Sequence, residues 1–175
     1  MSKAEKKTVA DYPEVAAQWH PTKNGEITPD QVAAGSHKKF WWECPKGPDH
    51  EWEAQVKSRA LGGRGCRACA GKQVSVTNSL AACFPDVASE WHPTKNGELT
   101  PTKVLAGSNK KYWWKCPKGP DHEWEATASD RTTGTGCPAR AGRQVSVTSS
   151  LASLFPEIAA EWHPTKNGEL TPTKV

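Results

Sequence analysis

Residues 41–54 read WWECPKGPDHEWEA, and residues 113–126 read WWKCPKGPDHEWEA. Each stretch is two apolar-alternating runs around a Pro-Lys-Gly-Pro-Asp tip, which is the pattern of a β-hairpin. Alternation puts Phe40, Trp42 and Cys44 on one face and Lys39, Trp41 and Glu43 on the other. In the returning strand His50, Trp52, Ala54 and Val56 share a face, so Cys44 and His50 flank the hairpin tip. A third short strand is expected from Gln73 and from Gln144, where QVSV occurs in both copies.

The hairpin belongs to a longer repeat. The phrase WHPTKNGE begins at Trp19, Trp91 and Trp162, giving a period of 72 and then 71 residues. A fixed period of this kind makes the repeat the unit to be explained. The chain divides into a basic tail (1–7), a first repeat (8–79), a second repeat (80–150) and a partial third repeat (151–175). Each repeat opens on a short helix: in the second, Ser79 is the expected N-cap, with Leu80, Phe84, Val87, Ala88 and Trp91 on one face. Asn-Gly pairs at 24–25, 96–97 and 167–168 mark tight turns. The partial repeat stops before any strand or ligand, which reads as a fragment or a degraded gene; the alternative is that its helix, Leu151 to Trp162, caps the second repeat.

Composition explains why such a unit needs a staple. Only 35% of the 175 residues are hydrophobic and mean hydropathy is −0.73, yet there are 9 Trp, 14 Gly and 14 Pro. Units below roughly 70–80 residues seldom hold together on a core alone. No apolar run suits a signal peptide or a membrane span, so an intracellular setting, cytoplasmic or nuclear, is expected. In a reducing compartment six Cys read as metal ligands before disulfides.

The first repeat supplies Cys44, His50, Cys66 and Cys69, spaced C-x5-H-x15-C-x2-C. A pair at a hairpin tip plus a distant C-x2-C is the pattern of a closed structural zinc site, with four soft or borderline ligands and no open position. A redox pair would call for a βαβ context, which is missing. The second repeat keeps Cys116, His122 and Cys137, but Arg140 stands where Cys69 stands in the first. Zinc is therefore expected at one site per chain, with a weaker second site. Cys83 is weighed as a replacement fourth ligand and set against an ordinary helix-face thiol. His20, His92 and His163, each between Trp and Pro, read as turn or packing residues.

These phrases resemble a known family of tandem repeats described as treble-clef zinc fingers or probable zinc-ribbon domains of unknown function. The match rests on Glu90-Trp91 with Asn96-Gly97, on Gly107-Ser108 with Lys110, Lys111, Trp114 and Cys116, and on His122-x-Trp124 with Arg131 and Gly136-Cys137-Pro138. The resemblance implies zinc at Cys44, His50, Cys66 and Cys69. It agrees with a fold of small zinc-stabilised α+β repeats, each a short N-terminal helix and a two- to three-stranded zinc-ribbon or treble-clef-like hairpin. Modules similar to these accompany nuclease-like domains.

Function is expected to be non-catalytic. The Asp49-His50 and Asp121-His122 pairs invite a nuclease reading, but these His are zinc ligands and no second acid cluster remains. The leading expectation is contact with DNA or RNA through Lys38, Lys39, Trp41, Arg59, Lys110, Lys111, Trp113 and Arg131, cations interleaved with aromatics. Trp41 and Trp113 either stand exposed for stacking or are buried under the N-terminal helix. Near-neutral charge per repeat weighs against strong phosphate binding: nine Lys/Arg face eight Asp/Glu in residues 8–79, and nine face seven in 80–150. The alternatives are a protein-interaction or structural scaffold and an accessory part of a nuclease. No small-molecule substrate is evident.

Overall fold

Pro13, Pro85 and Pro156 decide how each repeat begins. A residue before proline is driven out of the α region, and Tyr12 (φ −121°, ψ 80°), Phe84 (φ −139°, ψ 69°) and Phe155 (φ −138°, ψ 67°) all obey. The single helix expected at the start of each repeat is therefore broken into two short turns. In the second repeat these are Leu80–Cys83 and Pro85–Ser89. Phe84, expected on the buried face, sits at the break and is exposed.

The structure, a computed structural model, describes residues 7–175, and of the basic tail expected at 1–7 only Lys7 lies among them. The chain forms two compact units, Met1–Ser79 and Leu80–Val175. In the first, a 3-10 turn (Val9–Asp11) and α1 (Pro13–Ala16) lead to β1 (Lys39–Glu43), β2 (Glu51–Gln55) and α2 (Val56–Ala60). β1 and β2 pair antiparallel with Trp42 opposite Trp52 and Trp41 opposite Glu53. The hairpin and its alternation thus stand as expected.

A third stretch does join the hairpin, but it is not QVSV. Residues 73–76 form no strand. Instead Trp19 makes a single antiparallel bridge to Trp42. The Glu43 amide donates to Gln18 O at 2.8 Å and the His20 amide to Trp41 O at 3.2 Å, which fastens the chain after α1 along β1.

The core is aromatic. Trp42 is fully buried, with the Trp19 ring edge-on at 5.1 Å and Trp52 across the hairpin. Val9, Val32 and Val56 complete it beside Cys44 and Cys66. A fully buried Trp removes roughly 150–250 Å² from water, about 4–6 kcal/mol gross at about 25 cal/mol/Å². Few such residues serve where aliphatic ones are scarce.

The second unit repeats this plan with α3 (Leu80–Cys83), α4 (Pro85–Ser89), β3 (Lys111–Lys115), β4 (Glu123–Thr127) and α5 (Ala128–Thr132). Trp114 replaces Trp42, with Trp91 edge-on at 5.3 Å. Beyond it α6 (Leu151–Leu154) and α7 (Pro156–Ala160) repeat the opening turns. Three of their apolar side chains, Leu154, Phe155 and Ile158, are each more than half exposed. The same break at Phe155 splits the apolar stripe that a continuous helix would have laid down.

Candidate metal centre

Cys44 follows β1 directly and takes the inward side of the alternation that buries Trp42. A tight knuckle returns the chain: the Cys44 amide donates to His50 O at 3.0 Å and the His50 amide to Gly47 O at 3.2 Å. Gly47 has a packing reason to be glycine, since a Cβ there would lie 2.6 Å from the His50 ring. Gly119 stands in the same relation to His122, at 2.5 Å.

After α2 the glycine loop reverses, with Gly63 at φ +61°, and delivers Cys66 and Cys69 on one turn. That turn is closed by the Ala70 amide to Cys66 O at 3.1 Å, with the Cys69 amide 3.5 Å from Cys66 Sγ. The ligand atoms of Cys44, His50, Cys66 and Cys69 all lie within 4.8 Å of one another.

The spacing fits zinc. Zn–S near 2.3 Å and Zn–N near 2.0–2.1 Å in a tetrahedron require S···S of about 3.8 Å and S···N of about 3.5 Å. Cys44 Sγ and Cys69 Sγ are 3.7 Å apart, and Cys69 Sγ is 3.5 Å from His50 Nδ1. In the second unit Cys137 Sγ is 3.6 Å from His122 Nδ1, and Cys116 completes a group of three within 4.8 Å. Zinc held here would close the fold by tying the knuckle to the distant turn. Cys83 is exposed and outside the cluster, so it is not a fourth ligand.

Without metal the thiols oppose one another. Desolvation beside Cys44 and Cys66 pushes the Cys69 thiol up to about 11. A cation reverses this, because it is bound by thiolates and releases their protons.

Behind each ligand histidine lies a brace that the sequence reading missed. His50 Nε2 sits 2.7 Å from Thr77 Oγ1 and 3.1 Å from Ser75 Oγ, leaving Nδ1 for the metal. His122 Nε2 meets Thr148 Oγ1 at 2.9 Å and Ser146 Oγ at 3.0 Å. Such outer partners fix the ring's tautomer and orientation. They come from QVSVT (73–77 and 144–148), whose verbatim repetition after the last ligand was the available signal. Asn78 holds the first of these segments by donating to Ala68 O and Gln73 O at 2.8 and 3.0 Å.

Arg59 and Arg131, expected on a binding surface, are instead core residues, 5% and 7% exposed. The Arg59 guanidinium lies 5.2 and 5.1 Å from the Trp42 and Trp52 ring centres, donates to Gln18 Oε1 at 2.7 Å and also to Arg64 O. Burial lowers its pKa, while the neighbouring Cys66 and Cys44 sulfurs act the other way. Arg131 is held likewise between Trp114 and Trp124, but its partner is the Glu90 carboxylate.

The other expected surface residues do face solvent or border it. Lys38, Lys39, Lys110 and Lys111 are exposed, and Lys39 lies 3.8 Å from Glu53. Trp41 is 36% exposed rather than covered by a helix, with Lys23 Nζ 4.7 Å from its ring centre; Trp113 is half-buried under Lys95 at 4.3 Å. His20 and His92 prove to be turn caps. His20 Nδ1 accepts the Thr22 and Lys23 amides, which leaves Nε2 to donate to Glu51 Oε1 at 3.1 Å. His163 Nδ1 accepts the amides of Thr165 and Lys166 in the same way. Lys95, then Lys115 and His92, hold the Glu123 carboxyl down to about 2.

A family described as a probable treble clef zinc finger domain matches residues 15–72 and again 87–143, more than half of the chain. No curated protein matches.

Proposed function

The chain belongs to the probable treble clef zinc finger family, and on that footing we propose that it is a non-catalytic zinc-binding module that contacts nucleic acid through the outer faces of its hairpins. The observation that carries this reading is the outer face of the second hairpin. There Trp113 is flanked along β3 by Lys111 and Lys115 and carries Lys95 on its ring; Lys95 and Lys115 share the Glu123 carboxylate, while Lys111 and the preceding Lys110 are exposed. An aromatic ring set among cations suits base stacking with phosphate contact.

Absence of catalysis is supported by how the histidines are used. His50 and His122 are committed to the metal groups and their Ser/Thr braces, and both ring nitrogens of His20 are occupied. No helix among the described residues is long and apolar enough to cross a membrane. A reducing intracellular setting, cytoplasmic or nuclear, follows from reading the thiols as ligands.

The first hairpin favours a second reading, a protein-interaction scaffold. Its outer face carries Glu43 where the second hairpin has Lys115, beside the Glu51 and Glu53 that recur as Glu123 and Glu125, so it is the more acidic of the two and repels phosphate more. An accessory place beside a nuclease domain is compatible with either.

Titration of single- and double-stranded DNA and RNA at two salt concentrations tests the proposal. Affinity should fall with salt, and Lys110→Ala with Lys111→Ala should each reduce the salt slope by about one. Trp113→Ala should cost about 1–3 kcal/mol if a base stacks there, and the Lys38→Ala, Lys39→Ala pair should cost less. No binding at low salt leaves the scaffold reading in place.

A further inference from the structure

We infer that the second metal centre has an exchangeable fourth coordination position that takes a thiolate supplied from outside its own unit. This rests on zinc occupying the group Cys116, His122 and Cys137. The position follows from the backbone. In the first unit the ligand turn is closed by Ala70 N to Cys66 O (3.1 Å), Gly71 N to Ala68 O (2.9 Å) and Lys72 N to Arg67 O (2.9 Å). In the second, Ala141 N to Cys137 O (3.2 Å), Gly142 N to Ala139 O (3.1 Å) and Arg143 N to Pro138 O (2.9 Å) repeat it bond for bond. Residue 140 therefore stands where Cys69 stands. Cys69 is the one exposed ligand of the first centre, whereas Cys44, His50 and Cys66 are buried. The vertex that Arg140 fails to fill accordingly opens toward solvent, and Arg140 is itself exposed there.

Charge decides what enters it. Zinc with three thiolates and a neutral imidazole is −1, and in the first unit the buried Arg59 cancels it while pairing with the neutral Gln18. Zinc with two thiolates is neutral, and the buried Arg131 is cancelled by Glu90 instead. Each ligand turn also carries one exposed arginine, Arg67 or Arg140, so the two units sum to the same charge before any fourth ligand binds. What differs is that Arg140 stands at the open vertex itself, where its cation favours an incoming anion. Among anions, a thiolate matches the soft sulfur set that zinc already holds, and the incoming thiol gives its proton to solvent on binding. The thiolate has two possible sources: a small soluble thiol, or the exposed Cys83 of a second copy of the chain.

Cobalt(II) substitution in the full chain reads this directly, because thiolate-to-cobalt charge transfer counts bound sulfurs. Addition of 2-mercaptoethanol should raise that absorption saturably, to one added thiolate per chain, in the native sequence. Arg140→Cys fills the vertex and should show the raised absorption from the outset with no response to thiol. Arg140→Ala, which leaves the vertex open, should bind the thiol several-fold more weakly; unchanged binding would overturn the role given to the guanidinium. Two metals per chain with no response to thiol sinks the inference alone. One metal per chain removes the second zinc site and the inference with it. If the source is a second copy, the absorption rises with protein concentration alongside dimer formation, and Cys83→Ser abolishes both. If a small thiol is the source, Cys83→Ser leaves the titration unchanged.

Discussion

The two metal centres share a backbone and differ in electrostatics. Knuckle, ligand turn, glycine packed on the histidine and Ser/Thr brace recur almost atom for atom. What changes is where the negative charge sits. The first unit places it on a third thiolate, Cys69, and pairs its buried arginine with Gln18; the second lacks that thiolate and pairs its arginine with Glu90. Residue 18 and residue 90 are equivalent in the repeat. One lost anion at the metal is thus matched by one gained beneath the tryptophans. In this chain the repeat that lacks a ligand keeps the backbone of the other and carries a carboxylate beside its buried arginine in place of an amide.

Metal removal should break the comparison most completely. A chelator strong enough to strip zinc is expected to abolish the near-ultraviolet signal of the packed Trp in the first unit, because structural zinc supplies on the order of 10 kcal/mol in small domains. An undiminished signal would mean that the aromatic core stands alone. Next in size are the cores themselves. Trp42→Ala and Trp114→Ala should each cost about 3–5 kcal/mol, equally in both units, measured by denaturant unfolding with zinc present. Unequal losses would show that one unit depends on its metal more than on its core.

The histidine braces come third. Thr77→Val and Thr148→Val should weaken zinc about 10–100-fold at their own sites in chelator competition. A loss at only one site would mean that the two braces, alike in geometry, differ in work. The pH dependence separates the centres more finely. Cys69 is raised from 9.0 to about 11 in the metal-free fold, so it is protonated at neutral pH and must release its proton to zinc. The sign is opposite in the two forms. The metal-free fold keeps the Cys69 contribution below pH 9 and loses it as pH rises toward 11, while the zinc form weakens as pH falls. With three thiols against two, zinc affinity should fall about tenfold more per pH unit at the first centre than at the second. Parallel release curves would contradict the ligand count.

The smallest effect tests the charge exchange. Glu90→Gln should weaken zinc at the second site a few-fold, since a charge pair partly screened by protein is worth on the order of 1 kcal/mol. The same change in an Arg140→Cys background should be neutral or favourable, because the thiolate restores the lost anion. Identical losses in both backgrounds would dissolve the link between Glu90 and the metal.

Much of the centre was legible. Cys44 and His50 announce themselves because hairpin alternation places them beside Trp42 and Trp52, and C-x2-C spacing needs only a local turn. The braces were not, because QVSV alternates like a strand, whereas its Ser75 and Thr77 find His50 across 25 and 27 residues. Arg59 misled for a related reason. A charge in a polar loop reads as surface, and nothing local reveals that Gln18, 41 residues away, receives it. The helix break was present in the sequence at Pro85 and was outweighed by the apolar stripe around it.

The repeat, the hairpin with its two faces and the four-plus-three set of ligands can be read from residue order alone, since all of them depend on short spacings and period-two alternation. Which cations are buried, and which serine and threonine hold each histidine, emerge only once the chain is folded. Those outcomes depend on partners brought together from distant segments. The energy of a buried charge or ligand is set by what surrounds it, and no local pattern carries that information.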